Sequence, residues 1–216
     1  MDFLQLMRER YTAKYYDPSR QVSRGDLDWI IECTRLSPSS TNLQPWHLYV
    51  AYGQEQIERW RPFVRDFNHE RINHATAVVA FCCLRRVEEA HFAMVAAKEW
   101  SDGRFSTRAD AQAGDAGRRR FAAMRSHSEE AMLAWTSRST YIAMTTMMYA
   151  ASSIGVDSTC MEGFDEELAD ELLDLRRRNL HCICLLSLGY ASPEDTNTHE
   201  RRPQSRIDSV DFVTFV

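Results

Sequence analysis

The chain predicts a single α/β-type domain, on three observations. Apolar runs of strand length alternate with segments whose apolar residues recur at helical spacing. The 216 residues are enough for one sizeable core, and no linker, repeat or low-complexity block divides them. The hydrophobic content of 44% and charged content of 26% are those of an ordinary water-soluble globular chain.

The elements follow in order. Phe3, Leu6 and Met7 are spaced for a short helix over 3–9. A polar and aromatic connection runs from Arg10 to Asp17. Ser23 and Asp26 resemble a capping box, opening a helix that ends near Leu36 with Leu27, Ile30, Ile31 and Thr34 on one face. The stretch from Ser37 to His47 holds two prolines among small hydroxyl and amide residues. It suits neither a helix nor a central strand, and reads as a loop presenting short polar groups. A strand over 47–52 stops at Gly53, and a helix over 54–67 follows with Ile57, Trp60 and Val64 on one face. Residues 76–84 are apolar throughout, as in a strand buried on both faces.

A helix over 87–100 and a loop over 101–107 lead to a polar, glycine-interrupted helix over 108–126, expected to be exposed and mobile. Residues 129–154 carry the longest helical pattern, apolar on several sides. Such a helix belongs in the core or against a second subunit. Gly155 ends it. A short strand over 157–161, a turn at Glu162-Gly163, a helix over 165–175 and a second buried strand over 180–188 complete the domain. The tail is basic and extended over 201–207, and its last residues, 208–216, are expected to add an edge strand.

Composition excludes several functions. A formal net charge of -5 and a pI near 5.8 give nucleic-acid binding no support. No apolar run approaches the roughly 20 residues needed to span a bilayer. The first ten residues are too charged for a signal peptide, and the cysteines form no C-x-x-C pair. Reduced thiols and a cytoplasmic setting are expected. Neither a G-x-G-x-x-G nor a P-loop nor a G-x-S-x-G motif is present. His69 and His74 lie five apart, about 140° around a helix, so they would not share a metal. Loop cations and amides are the remaining signal: Arg10 and Lys14, Asn68 and Arg71, Arg202 and Arg206. Arginines suit phosphate, but spacing alone reads this set as solvated surface charge.

Five blocks in order change that weighting: Arg10-Tyr11-Thr12-Ala13-Lys14, the Ser37 to His47 loop, Asp102-Gly103-Arg104-Phe105, Met161-Glu162-Gly163-Phe164-Asp165 and Gln204-Ser205-Arg206. Together they resemble the oxygen-insensitive NAD(P)H nitroreductases, FMN flavoproteins that include dihydropteridine and flavin reductases. The resemblance implies an α+β fold with a central mixed β-sheet flanked by helices, completed by homodimerisation with FMN at the subunit interface. It implies that Arg10 and Arg206 hold the FMN phosphate with Tyr11 and Thr12, and that Lys14 and Arg71 lie at the pyrimidine edge. Asn68 would hydrogen-bond the ring, and Glu162 and Gly163 would offer backbone N–H groups. Pro38, Ser39, Ser40 and Asn42 would reach in from the other subunit. Phe121 would gate a channel lined by Thr41 and Phe67. NAD(P)H would be the co-substrate and nitroaromatics or quinones the acceptors, reduced in two-electron, ping-pong steps. No side chain is then a catalytic nucleophile, because the flavin carries the redox chemistry. A flavin or dihydropteridine reductase on the same scaffold, or a flavin-binding protein without turnover, is the alternative.

The chain departs from the family pattern in three places. Gln204 replaces a phosphate-side lysine, which loosens FMN unless Arg202 compensates. Cys160 replaces a proline, and reads as a small core residue more readily than a redox thiol. Arg71 stands where lysine is common.

Overall fold

The computed structural model describes residues 2–216. Its strands, β1 (Trp46–Tyr52), β2 (Ala77–Leu84), β3 (Asp157–Met161) and β4 (Leu180–Gly189), form one four-stranded sheet in the order β1-β2-β4-β3. All the strand pairings are antiparallel. The parallel component of the expected mixed sheet is confined, among the described residues, to an isolated bridge between Thr12 and Ser158. The architecture is therefore α+β rather than a parallel α/β array.

β2 sits beside β4 at the sheet centre because its residues are apolar on both faces. The two faces seed two cores. Val78, Ala80 and Cys82 point towards Phe63, Ile72, Phe164 and Leu175. Val79 and Phe81 point the other way, towards Leu27 and Ile30 of α2 (Arg24–Arg35) and Ala143 and Met147 of α6 (Glu129–Ser153). This is the period-two alternation of a strand, here with an apolar partner on each side. α6 tolerates its buried threonines because their hydroxyls bond back one turn: Thr136 to Met132 O at 3.1 Å and Thr140 to Thr136 O at 3.1 Å. Ser23 caps α2 by accepting from Asp26 N at 3.0 Å, as the sequence predicts.

The other helices are α1 (Phe3–Glu9), α3 (Gln54–Glu58), α4 (Glu89–Ser101), α5 (Arg108–Ala123), α7 (Glu166–Leu172) and α8 (Ser209–Phe212). Three expectations fail. The helix over 54–67 stops after one turn: Pro62 lies in a separate 3₁₀ turn, and Val64 is extended and bridges Phe164. α5 is exposed over most of its length, as expected, but it is anchored rather than loose: its Arg118 is 2% exposed and pairs with the buried Glu99 of α4 at 2.5 Å. Gly114 is where Phe105 presses on the helix, and a Cβ there would lie 2.8 Å from the ring. The last residues form no strand: α8 is a single turn and the end of the chain is exposed.

Candidate functional site

Chain return builds the first part of the site. α1 ends at Arg10, and the following segment runs beside β3, with Thr12 bridging Ser158 and Ala13 N bonding Ser158 O at 3.3 Å. The Thr159 hydroxyl donates to Ala13 O. Asp195, fully buried, binds both segments of this return: its carboxylate accepts from Lys14 N at 2.5 Å, Tyr15 N at 3.1 Å and Asn197 N at 2.6 Å. Its buried charge is met by N–H donors. Asn197 Nδ2 donates to Thr12 O at 2.8 Å and His199 Nε2 to Glu9 O at 2.6 Å, so the tail folds back onto α1. A polar cleft of about 210 Å³ lies between them, lined by Arg10, Tyr11 and Thr12 on one side and Arg202, Gln204 and Arg206 on the other. Three guanidiniums around a small polar cleft match a phosphate. Gln204 Nε2 is tied to Met7 O at 3.2 Å.

The second part is the turn after β3. Gly163 O accepts from Arg65 N at 3.1 Å and Asn68 Nδ2 at 3.0 Å, while Glu162 O accepts from Phe164 N at 3.0 Å. The N–H groups of Glu162 and Gly163 have no acceptor among the described residues. Carbonyls are thus tied inward and two donors are left over, the reverse of an ordinary buried turn. A side chain at residue 163 would collide with the Asn68 amide and the Phe67 ring, so the close approach requires glycine. Arg71 Nη1 donates to Phe67 O at 2.6 Å. Burial first, then the like charge of Arg71, lowers the Lys14 pKa; Asp195 opposes this and Arg202 adds to it. Lys14, Arg71 and Arg202 therefore form one field. Burial, aided by Asp157 and Asp195, pushes Tyr11 up to about 12, so its hydroxyl is a neutral donor.

The predicted residues fall into two groups. Arg10, Tyr11, Thr12, Lys14, Asn68, Arg71, Glu162, Gly163, Gln204 and Arg206 belong to these two parts. Pro38, Ser39, Ser40, Thr41 and Asn42 do not join them within the chain. They form a loop packed on α4 and α5, with Asn42 Nδ2 bonded to Glu99 Oε1 at 2.7 Å and Ser39 Oγ accepting from Gln44 N at 2.8 Å. Thr41, Asn42 and Gln44 all take positive φ, which fixes the loop's shape. Phe121 is half-exposed on α5, and Phe67 is 69% exposed beside Gly163.

Cys160 is not poised for redox work. Its sulfur lies 3.1 Å from Met144 Sδ and 3.6 Å from Met148 Sδ, and burial pushes the thiol up to about 11. A cavity of about 740 Å³ lies elsewhere, among α2, β1 and α4, and none of the predicted site residues line it. Sequence reasoning missed Asp195, Asn197 and Tyr141, whose phenol donates to Glu162 Oε1 at 2.6 Å. Only the polar Ser192 to His199 run hinted at the first two.

Comparison with known proteins defines the class: the Nitroreductase family model matches residues 7–190. An oxygen-insensitive NAD(P)H nitroreductase from Salmonella typhimurium is 31% identical, covering 96% of both chains. The major NAD(P)H-flavin oxidoreductase of Aliivibrio fischeri is 30% identical over 97% of this chain and 96% of its own. Among solved structures, a nitroreductase from Exiguobacterium sibiricum in complex with FMN superposes with a TM-score of 0.83 at 18% identity, covering 100% of this chain and 98% of that one. The chain belongs to the nitroreductase family.

Proposed function

We propose that the protein is an FMN-dependent oxidoreductase that takes hydride from NAD(P)H and reduces nitroaromatic or quinone acceptors in two-electron steps. One observation carries this reading: the two ends of β3 carry a tricationic, phosphate-sized cleft, on the segment that bridges Ser158, and the Glu162-Gly163 turn with its two N–H donors unpaired among the described residues. That donor set fits FMN at both ends. Arg10, Arg206, Tyr11, Thr12 and Gln204 would hold its phosphate, with Arg202 supplying the charge that Gln204 lacks. Asn68, Glu162 and Gly163 would meet the ring. FMN supplies hydride acceptance and delivery when bound. Lys14 and Arg71 would place positive charge where a reduced ring is richer in electrons, which would favour the reduced state over the oxidised one. Phe67 and Phe121, with Thr41, would bound the acceptor channel and exclude water.

The site would be completed in a homodimer, because the Pro38 to Asn42 loop does not reach the cleft of its own chain. No helix among the described residues is long and apolar enough to cross a membrane. The free cysteines support a reducing, cytoplasmic setting. The match to a flavin oxidoreductase favours a second reading, reduction of free flavin or dihydropteridine at the same site. Steady-state kinetics with NADH and NADPH against nitro, quinone and flavin acceptors separates the two. A purified protein that never takes up FMN refutes both.

A further inference from the structure

The Glu162-Gly163 turn is anchored unevenly. Downstream, Gly163 O is held by Arg65 and Asn68, and Asp165 N donates to Phe63 O at 2.7 Å. Upstream, β3 ends at Met161, paired with Leu185 of β4. Between these anchors lies one peptide unit, from the Glu162 carbonyl to the Gly163 N–H. Glycine lets such a unit rotate, since no Cβ restricts its φ. Its backbone restraint is the 3.0 Å contact from Phe164 N to Glu162 O. That contact spans three residues, the bent geometry of a γ-turn, and is weak.

A side chain supplies the missing restraint. The exposed Glu162 carboxylate has one partner among the described residues, the Tyr141 hydroxyl at 2.6 Å. Tyr141 projects from the middle of α6 and its ring is half-buried against the core that backs β4, so the hydroxyl is fixed in space. A phenol donating to a carboxylate is a charge-assisted bond. Burial, and then this bond, raise the Tyr141 pKa well above its ordinary value, so the phenol stays a donor through the neutral range.

We propose that Tyr141 is a positioning residue of the cofactor site: by gripping Glu162 it keeps the Glu162-Gly163 peptide from rotating, so that the Gly163 N–H faces the flavin. The inference rests on the FMN reading above. It gives α6 a role beyond packing, as the rigid strut from which the donor pair is aimed.

Two readouts test it besides turnover: hydrogen exchange over 162–164 in FMN-free protein, and the FMN dissociation constant from flavin fluorescence. Tyr141→Phe removes only the hydroxyl. It is expected to raise exchange in the turn and weaken FMN binding about tenfold, the loss of one charge-assisted bond. Glu162→Ala should match it, and the double variant should be no worse than either. Glu162→Gln should restore most of the affinity, since its amide oxygen still accepts. Unchanged exchange and affinity in Tyr141→Phe overturn the proposal. So do fully additive effects in the double variant, or a lowered unfolding midpoint with an unmoved turn. Wild-type protein that takes up no FMN refutes the cofactor reading instead, and the exchange comparison still decides whether Tyr141 holds the turn.

Discussion

The two groups of site residues are built on opposite plans. Around β3, backbone carbonyls and Asp195 are consumed internally while cations and N–H donors are left facing outward. Around the Pro38 to Asn42 loop the side-chain bonds run within the chain, from Asn42 to Glu99 and from Gln44 N to Ser39 Oγ, over the buried Glu99–Arg118 pair, although Ser37 Oγ and two nitrogens of Arg118 have no hydrogen-bond partner among the described residues. The first region has binding capacity to spare. The second spends its bonds within the chain and offers shape, with three residues fixed at positive φ. A region of the first kind grips a ligand, and one of the second kind walls it in. On the proposed dimer, the loop would wall the site of another copy of the chain.

The largest effect should come from breaking the wall. Arg118→Ala removes the buried cation from Glu99 and leaves it Asn42 and the exposed Arg104 at 3.4 Å, which costs up to about 3–5 kcal/mol. Urea denaturation should show that loss. If the pair only decorates a surface, the loss falls below about 1 kcal/mol. Next is Gly163→Ala, which pushes Asn68 and Phe67 away from the turn. Turnover should fall roughly 10²-fold with little change in urea midpoint, because a displaced donor misplaces the reacting groups. Arg10→Ala removes one charge-assisted contact to phosphate and should raise the FMN dissociation constant roughly 10- to 100-fold, by fluorescence titration. Gln204→Lys should tighten FMN by a few-fold at low salt, less where salt screens the added charge. An unchanged constant would mean that Arg202 already fills that role.

A pH effect should be smaller and confined to the gripping side. His181 of β4 bonds Asp170 of α7, the helix that follows the turn, at 2.9 Å. That bond first, and the Asp170 charge, hold the His181 pKa above its ordinary value against the cost of burial. Its contribution is therefore complete below about 6.5 and is lost as pH rises through the raised folded value. Asp170 is opposed by burial, but its bonds to His181, Cys182 N and Arg85 lower its pKa overall. Its contribution is lost as pH falls through that lowered value. Between these limits the pair should stabilise the protein most. Replacing His181 with Asn should flatten the alkaline side of a stability–pH curve.

Most of the fold was legible in the sequence because its signals are local. The all-apolar 76–84 run, the Ser23 cap and the Gly155 stop each act within a few residues. Where Pro62 cut a helix that the apolar spacing supported, periodicity had overridden a stronger steric rule. The anchoring of α5 was illegible because Arg118 looks like any exposed arginine until Glu99 arrives from another helix. In the site, loop cations carried no sign of convergence by themselves, and family resemblance supplied it. Asp195 and Tyr141 escaped both routes, since each acts through partners distant in sequence: Lys14 for one, Glu162 for the other.

The separation of grip and wall has a genetic consequence. On the proposed dimer, a chain lacking Arg10 and a chain with a ruined Pro38 to Asn42 loop would each be inactive alone. Mixed, they would pair one sound grip with one sound wall at a single interface. Two defective alleles should then complement within one gene, to no more than half of normal activity per mixed dimer.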